Sequence, residues 1–391
     1  MTDLEPILEL WRELDAAGAD YLLATVVAVE GSSYRRPGAH MLLAQDGRRV
    51  GTVSAGCLEA DVARRAWWLT SEGPIIQQFS TLEEDGDRPY GSGCGGRVSI
   101  LLERRATAAP LLSALHQAFH SRTPLAIATV LDGPEIARRG FSSALDATGT
   151  ESELSPRQAG AEFSGPLSLQ QTLDFLAVRS LSSRASSENK IPIDGSPVKV
   201  WTSYRAARPG LWIFGAGDDA RPLARQAREL GWFAAVADGR SHLATRDRFP
   251  FTTVTAVLDV SAMPGPAFSH LDLRSSDAAV VMTHSFDQDS RVLAALLSRD
   301  EPLAYIGVLG PQRRTRELLV EAARLLGYSE AQPAVHRWLE MIHAPTGLDL
   351  GAETPAAIAL SVLAEVQQTL FHGTALPLQV VRGARLEASR S

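Results

Sequence analysis

Apolar positions along the chain fall into short blocks that follow two periods. Leu4, Ile7, Leu8, Trp11 and Leu14 recur at helical spacing, and the β-branched run in DYLLATVVAVE that follows predicts a buried strand. AHMLLAQDGRRVGTVSA sets Asp46-Gly47 between two apolar runs. That predicts a hairpin, because glycine takes the positive φ of a tight turn. LEADVARRAWWL returns to helical spacing just after Cys57, so Cys57 falls at or just before a helix amino terminus, and RVSILLE reads as a strand. PLAIATVLDGPEIARRGFSSALDATG then echoes YLLATVVAVEGSSYRRPGAHMLLAQDG. Each has a strand containing Ala-Thr-Val, a loop with paired arginines (Arg35 and Arg36, then Arg138 and Arg139) and a hairpin-like return. A duplicated structural unit without a cysteine in its second copy is expected; an unrelated strand with a chance Ala-Thr-Val is the other reading. SLSSRASSENKIPIDGS, rich in serine and short of apolar residues, is expected to be a surface loop or linker.

From Leu211 the pattern changes to apolar strands alternating with amphipathic stretches, which predicts a doubly wound parallel sheet. Gly215, Gly217 and Ala220 match the G-x-G-x-x-A turn of a dinucleotide-binding unit, and Asp238 stands where a ribose-binding acid is expected. Asp218 and Asp219 sit where a pyrophosphate would settle, and they would repel it; a helix-capping role for one of them is the plainer expectation. THSFDQD and LGPQRRT should border the crevice at the strands' carboxyl ends. Arg313 and Arg314 are there either to meet a phosphate or as solvated residues at a helix start, and His284 is expected to be a hydrogen-bonding loop residue. Thr354 and Pro355 mark the start of a last helix. The fold class expected is α/β: a mixed α+β domain bearing the cysteines over 1–200, then a Rossmann-like doubly wound sheet over 201–391. Within the first, residues 1–105 hold the motifs and 106–200 the degenerate repeat.

Composition removes several function classes. Hydrophobic residues at 45% and charged residues at 21% describe a folded chain, and a net charge of -7 without a basic run makes nucleic acid and anionic membrane poor partners. The acidic, amphipathic start is unlike a signal peptide and no apolar run is long enough to span a bilayer, so a cytoplasmic location is expected. Two distant cysteines in 391 residues make reduced thiols the default.

Both cysteines lie in glycine turns. Cys57 follows Gly56 in SAGCLEA, and Cys94 is set among Gly93, Gly95 and Gly96 with Arg97 behind it. A helix amino terminus or a nearby cation lowers a thiol's pKa, and glycines let backbone N–H groups turn toward an anion. In GSSYRRPGA, Ser32, Ser33, Arg35 and Arg36 are candidates to grip a phosphate or a polar heterocycle. Two soft thiolates beside anion-binding loops suit a sulfur-loving metal carried by a phosphorylated organic ligand.

GSSYRRPGAHMLL, GTVSAGCLEADV, GSGCGGRVSILLE, IFGAGDDARPLA, YIGVLGPQRRT and APTGLDLGAETPAAIALSVLAE occur in the order found in the xanthine dehydrogenase accessory factor family, the XdhC/CoxI type, and the chain resembles that family to about residue 367. The resemblance implies a cytoplasmic chaperone, not a stand-alone enzyme. It would bind molybdenum cofactor in its molybdopterin form as cargo, protect it while a cysteine desulfurase supports exchange of an oxo for a sulfido ligand, and deliver it to a recipient molybdoenzyme; a homodimer is also implied. Carried over, the family's first cysteine motif falls on Gly56, Cys57 and Glu59, and the second on Cys94, Gly95 and Gly96. Tyr34 stands where the family commonly has proline, and Ala55 where it commonly has glycine. On this reading Cys57 and Cys94 contact the metal or accept sulfur. Arg35, Arg36 and Arg97 steady phosphate and pterin, and the Rossmann domain closes the cleft, binds a nucleotide or docks the recipient. The rival reading is an NAD(P)-dependent oxidoreductase using Gly215, Gly217 and Asp238; a redox switch or scaffold linking the two cysteines is a third.

Overall fold

The amphipathic opening forms α1 (Leu4–Ala16), which buries Leu4, Ile7, Leu8, Leu10, Trp11 and Leu14 along one stripe. The structure, a computed structural model, describes residues 4–31, 33–54, 56, 58–80, 96–143, 168–193, 196–262, 268, 270–328 and 333–381. The chain divides into two units, Met1–Arg208 and Pro209–Ser391.

In the first unit α1 is followed by β1 (Tyr21–Gly31), β2 (His40–Ala44), β3 (Arg49–Gly51), α2 (Glu59–Leu69), β4 (Ile75–Ser80), β5 (Gly96–Arg104) and α3 (Arg105–Ser121). Next come β6 (Leu125–Val130), β7 (Arg139–Ser143), α4 (Leu169–Ser183), β8 (Ser187–Ile193) and β9 (Ser196–Arg205). The strands make two antiparallel sheets, ordered β3-β2-β1-β5-β4 and β7-β6-β9-β8. β1 is buried from Tyr21 to Val27, with Thr25 the one aliphatic-hydroxyl residue in that run, because both faces are covered there. Tyr21 and Leu23 pack with α1 and α3, whereas Leu22, Ala24 and Val26 pack with Val62 and Ala66 of α2. The expected hairpin turns at Gly47, whose φ is +90°. Both halves follow the order helix, hairpin, helix, hairpin, and the sheet orders β2-β1-β5-β4 and β7-β6-β9-β8 correspond. The serine-rich stretch corrects the expectation of a loop: it ends α4 and forms β8. β8 pairs on one side only and alternates exposed with half-buried side chains, so its polarity is that of an edge strand.

The second unit runs β10 (Gly210–Phe214), α5 (Ala220–Glu229), β11 (Phe233–Asp238), β12 (Val254–Val257), β13 (Ala278–Val281), α6 (Phe286–Leu297), β14 (Tyr305–Val308), α7 (Gln312–Leu325), α8 (Pro333–Met341), β15 (Ile342–His343) and α9 (Pro355–Phe371). Its sheet is parallel in the order β12-β11-β10-β13-β14-β15, the doubly wound arrangement with a switch point between β10 and β13. Helices α6 and α7 cover one face, burying Val292, Leu293, Leu318 and Leu319; α5 and α9 cover the other through Leu223, Ala224, Val362 and Leu363. Thr354 caps α9 by accepting from Ala357 N, with Pro355 next, as the sequence predicts.

Candidate functional site

The register of the five-stranded sheet sends three loops out toward one end. Gly31 pairs with Gly96 and Glu30 with Arg97, Ser80 pairs with Arg97 from the other side, and Met41 pairs with Gly51. The described flanks of GSSYRRPGA and GSGCGGR therefore leave the sheet side by side at Gly31 and Gly96, while β3 runs out toward the same end at Gly51, level with Ala24 of β1, on its way to SAGCLEA. Ser32, Cys57, Gly93, Cys94 and Gly95 lie outside the described residues. Among the described residues no group of three or more His, Cys, Asp or Glu side chains is arranged to hold a metal ion, and no helix is long and apolar enough to cross a membrane.

Glu59, expected beside the cofactor, has both oxygens engaged within the chain. Oε1 accepts from Val53 N (3.1 Å) and Ser54 N (2.8 Å), and Oε2 accepts from Ser54 Oγ (2.6 Å). Ser54 Oγ in turn accepts from Gly56 N and Leu58 N. Gly56 takes φ +107°, a conformation that strains any residue with a Cβ. The carboxylate is thus a clamp on the loop that carries Cys57. Burial acts to raise its pKa, but the Ser54 hydroxyl and the backbone N–H groups outweigh burial and hold it below the ordinary 4.5. A depressed carboxylate stabilises the fold above its unfolded pKa, and that contribution fades as pH falls through the folded value. Glu59→Gln turns an amide donor toward these N–H groups, so it should cost about 1–3 kcal/mol at neutral pH, a difference that shrinks in acid. Denaturant midpoints that match wild type at neutral pH would rule the clamp out.

Arg35 and Arg36 line a cleft of about 430 Å³, and strand β9 supplies its opposite wall through Trp201, Ser203, Tyr204 and Arg205. Ser33 Oγ braces the loop by donating to Arg35 O at 3.0 Å. Arg205 donates from Nη2 to Gly38 O at 2.7 Å, and Gly38 turns there with φ +92°. At the base His40 is buried, its Nδ1 3.0 Å from Thr25 Oγ1. Burial, then the charges of Arg205, Arg139 and Arg35, push its pKa well below the usual imidazole value, so it is neutral at pH 7. Burial and the Arg35 charge push Arg205 down to about 10. Arg139, the counterpart of Arg36 in the sequence echo, forms a buried pair with Glu103 at 2.5 and 2.9 Å. His40, Ser203 and Arg205 carry no motif signal; a register 167 residues long brings Arg205 to Gly38.

In the second unit Gly215 has φ +131°, and a Cβ there would stand 2.4 Å from Met282 O, so β13 requires the glycine. At Gly217 a Cβ would lie 2.7 Å from Asp219 Oδ1. The Asp219 carboxylate lies against the turn and pairs with His284 Nε2 at 2.8 Å, while Asp218 pairs with Arg248 at 2.9 Å. This corrects the expected capping role for Asp219, which stands at the N-cap of α5 without a capping side-chain bond because His284, at φ +62°, takes its carboxylate. Asp238 is fully buried: Oδ2 accepts from Ala216 N and Arg240 Nη2, and Oδ1 from Arg240 N, Arg240 Nε and Gln288 Nε2. The adjoining cavity of about 220 Å³ is lined by Asp219, Glu353 and apolar side chains such as Val280, Met282 and Ile358. A pyrophosphate would meet carboxylates here, so these residues do not suit a dinucleotide. Arg314 is committed to the buried Asp289 at 2.6 Å, and the exposed Arg313 to Glu317.

Comparison with known proteins places this architecture. The model of the XdhC Rossmann domain matches residues 211–366, and that of the XdhC and CoxI family matches residues 14–80. A probable xanthine dehydrogenase subunit of Bacillus subtilis (strain 168) is 31% identical over 355 residues, covering 89% of this chain and 92% of that protein. The molybdenum cofactor insertion chaperone PaoD of Escherichia coli (strain K12) is 24% identical over 379 residues, 95% of this chain and 90% of that one. A crystal structure described as a xanthine dehydrogenase from Bacillus halodurans superposes with a TM-score of 0.66 at 28% identity, covering 94% of this chain and 96% of that one. With a Rossmann unit of the matching type, the first unit's motifs in order and a relative of this identity aligned over nearly its whole length, the chain belongs to the XdhC and CoxI family.

Proposed function

We propose that the chain is a maturation factor for a xanthine-dehydrogenase-type molybdoenzyme, one that binds molybdenum cofactor as cargo, shields it during sulfuration and hands it to the recipient. The carrying observation is that the described flanks of the arginine loop and of the second cysteine loop leave the sheet side by side at Gly31 and Gly96, and that β3, which leads to the first cysteine loop, runs out toward the same end. Likeness to a molybdenum cofactor insertion chaperone along nearly the whole chain supports the same reading. In it the Cys57 and Cys94 thiolates hold the metal or accept sulfur, the Glu59 clamp sets the first cysteine loop, and Arg35, Arg36 and Arg97 steady the phosphate and pterin. Thiolate is the form that ligates a soft metal. A cysteine desulfurase and the recipient enzyme are the partners, and the protein works as a homodimer in the cytoplasm. The carboxylates around Gly217 weigh against an NAD(P)-dependent oxidoreductase.

The test is metal and pterin analysis of the chain purified from cells that make molybdenum cofactor. Wild type should carry both, and Cys57→Ala and Cys94→Ala should lose most of each while keeping the wild-type fold by circular dichroism. Wild-type loading in the two variants would sink the proposal.

A further inference from the structure

We infer that His116 and His120, in the last turns of α3, form a two-histidine site for a divalent transition metal of the copper and nickel kind. Residues four apart on a helix share a face, and H-x-x-x-H is the spacing at which two imidazoles reach one ion. Of the nine histidines in the chain, only these two stand so close in sequence. Their rings lie with centroids 4.1 Å apart and planes 35° from parallel. Two nitrogens bound to one ion at about 2.1 Å each stand about 3 Å from one another, so a small turn of one ring completes the approach. His120 is free to make it, because it is exposed.

The hydrogen bonds leave both rings ready to ligate. His120 Nδ1 stands 2.9 Å from His116 O. A carbonyl only accepts, so Nδ1 carries the hydrogen and the lone pair is left on Nε2, the way a backbone carbonyl holds a metal-bound histidine. His116 Nε2 is buried and has no hydrogen-bond partner. Trp11, whose ring packs edge-on against His116, does not serve it, since the indole N–H goes to the Tyr21 hydroxyl at 2.9 Å. A buried polar atom without a partner calls for an explanation, and an ion held between the rings supplies the missing partner. Among the described residues no third His, Cys, Asp or Glu side chain joins the pair, so water fills the other positions. Magnesium and calcium, which take oxygen ligands, are thereby excluded, and the site is unlike the closed four-ligand site of structural zinc; an open imidazole pair favours copper(II) and nickel(II). Arg12 of α1 is close enough to act on His116 and so to repel a cation, but it is exposed and screened by salt. The site uses neither cysteine loop and does not rest on the function proposed above.

The experiment titrates the tag-free, metal-stripped full chain with nickel(II) by calorimetry at neutral pH. The same titration on a variant carrying both Cys57→Ala and Cys94→Ala separates imidazole binding from thiol binding. Both proteins should take up one nickel(II) at the histidine pair, and neither should bind magnesium there. In the cysteine-free background His120→Ala should weaken nickel(II) binding about tenfold or more, and so should His116→Phe, which keeps a ring against Trp11; the remote, exposed His242→Ala should leave it unchanged. Copper(II) added to the cysteine-free chain should show coupling to two ring nitrogens by electron paramagnetic resonance, and to one after His120→Ala. If His116→Phe does not fold, the exposed His120→Ala decides. Absence of nickel(II) binding, binding that vanishes with the cysteines, or wild-type affinity in a folded His120→Ala would overturn the assignment and leave the two rings as packing alone.

Discussion

Arg139→Met alone should destabilise the first unit by about 3–5 kcal/mol, the usual cost of leaving one member of a buried ion pair without its partner. Glu103 is fully buried, and both of its oxygens go to Arg139. Arg139 also donates to Thr107 O and Ala137 O, which ties β7 to the start of α3. Removing the guanidinium leaves an anion among apolar side chains, with Leu23 opposite it in the sheet register. The double replacement Glu103→Leu with Arg139→Met removes both charges, so it should recover most of the loss, since apolar replacement of a whole buried pair is often neutral or better. Hydrogen exchange followed by mass spectrometry on peptides from β5, β6 and β7 measures this within the full chain. A single variant as protected as wild type, or a double variant no better than the single, would mean that the pair is not what closes this part of the core.

The contrast between Arg139 and Arg205 shows where sequence reading reaches its limit. Both are arginines of the same sheet, yet Arg139 is neutralised by a glutamate on another strand and Arg205 donates to a backbone carbonyl. Which partner an arginine meets depends on which strand lies opposite, and that is set by register between segments far apart in the chain. The local signals behaved differently. Leu4, Ile7, Leu8, Trp11 and Leu14 were readable because α1 buries a single stripe. β1 was readable because both its faces are covered. The parallel sheet was readable because strand, glycine turn and helix follow one another without interruption from Gly210 to Asp238.

β8 was misread for a physical reason. An edge strand bonded on one side needs few apolar residues, so Ser187, Glu188 and Lys190 resemble a loop in composition. The candidate site was legible to the extent that glycine and arginine motifs mark loops, which the strands then run out into toward the same end of the sheet. Its opposite wall was not legible, because Ser203 and Arg205 belong to a strand whose role follows from pairing with β6. Glu59 is marked by its motif, but its partners are not: a glutamate at a helix start near a cysteine can face a ligand or its own loop, and here three hydrogen bonds run to Val53 and Ser54 of the loop.

Asp238→Ala should cost the second unit about 3 kcal/mol and should not remove a nucleotide site. The carboxylate binds the glycine turn through Ala216 N at 2.7 Å and holds Arg240 by its backbone and guanidinium, so alanine strands a buried N–H and a cation together. Burial alone would raise the Asp238 pKa, but the Arg240 side chain, followed by the Arg240 and Ala216 N–H groups, brings it below the ordinary 3.8. The sign follows: its contribution is complete above the unfolded pKa and disappears as pH falls through the lower folded value. Wild type should therefore outlast Asp238→Ala in urea at neutral pH, and the two curves should draw together in strong acid. Were Asp238 a ribose ligand, its first duty would be to a cofactor; wild type would bind NAD(H) at sub-millimolar concentration and the variant would lose binding with little change in midpoint. Because both oxygens are already saturated by the chain and a second carboxylate lies against Gly217, the stability loss is the expected outcome, and the nucleotide-binding loss is the result that would restore the oxidoreductase reading.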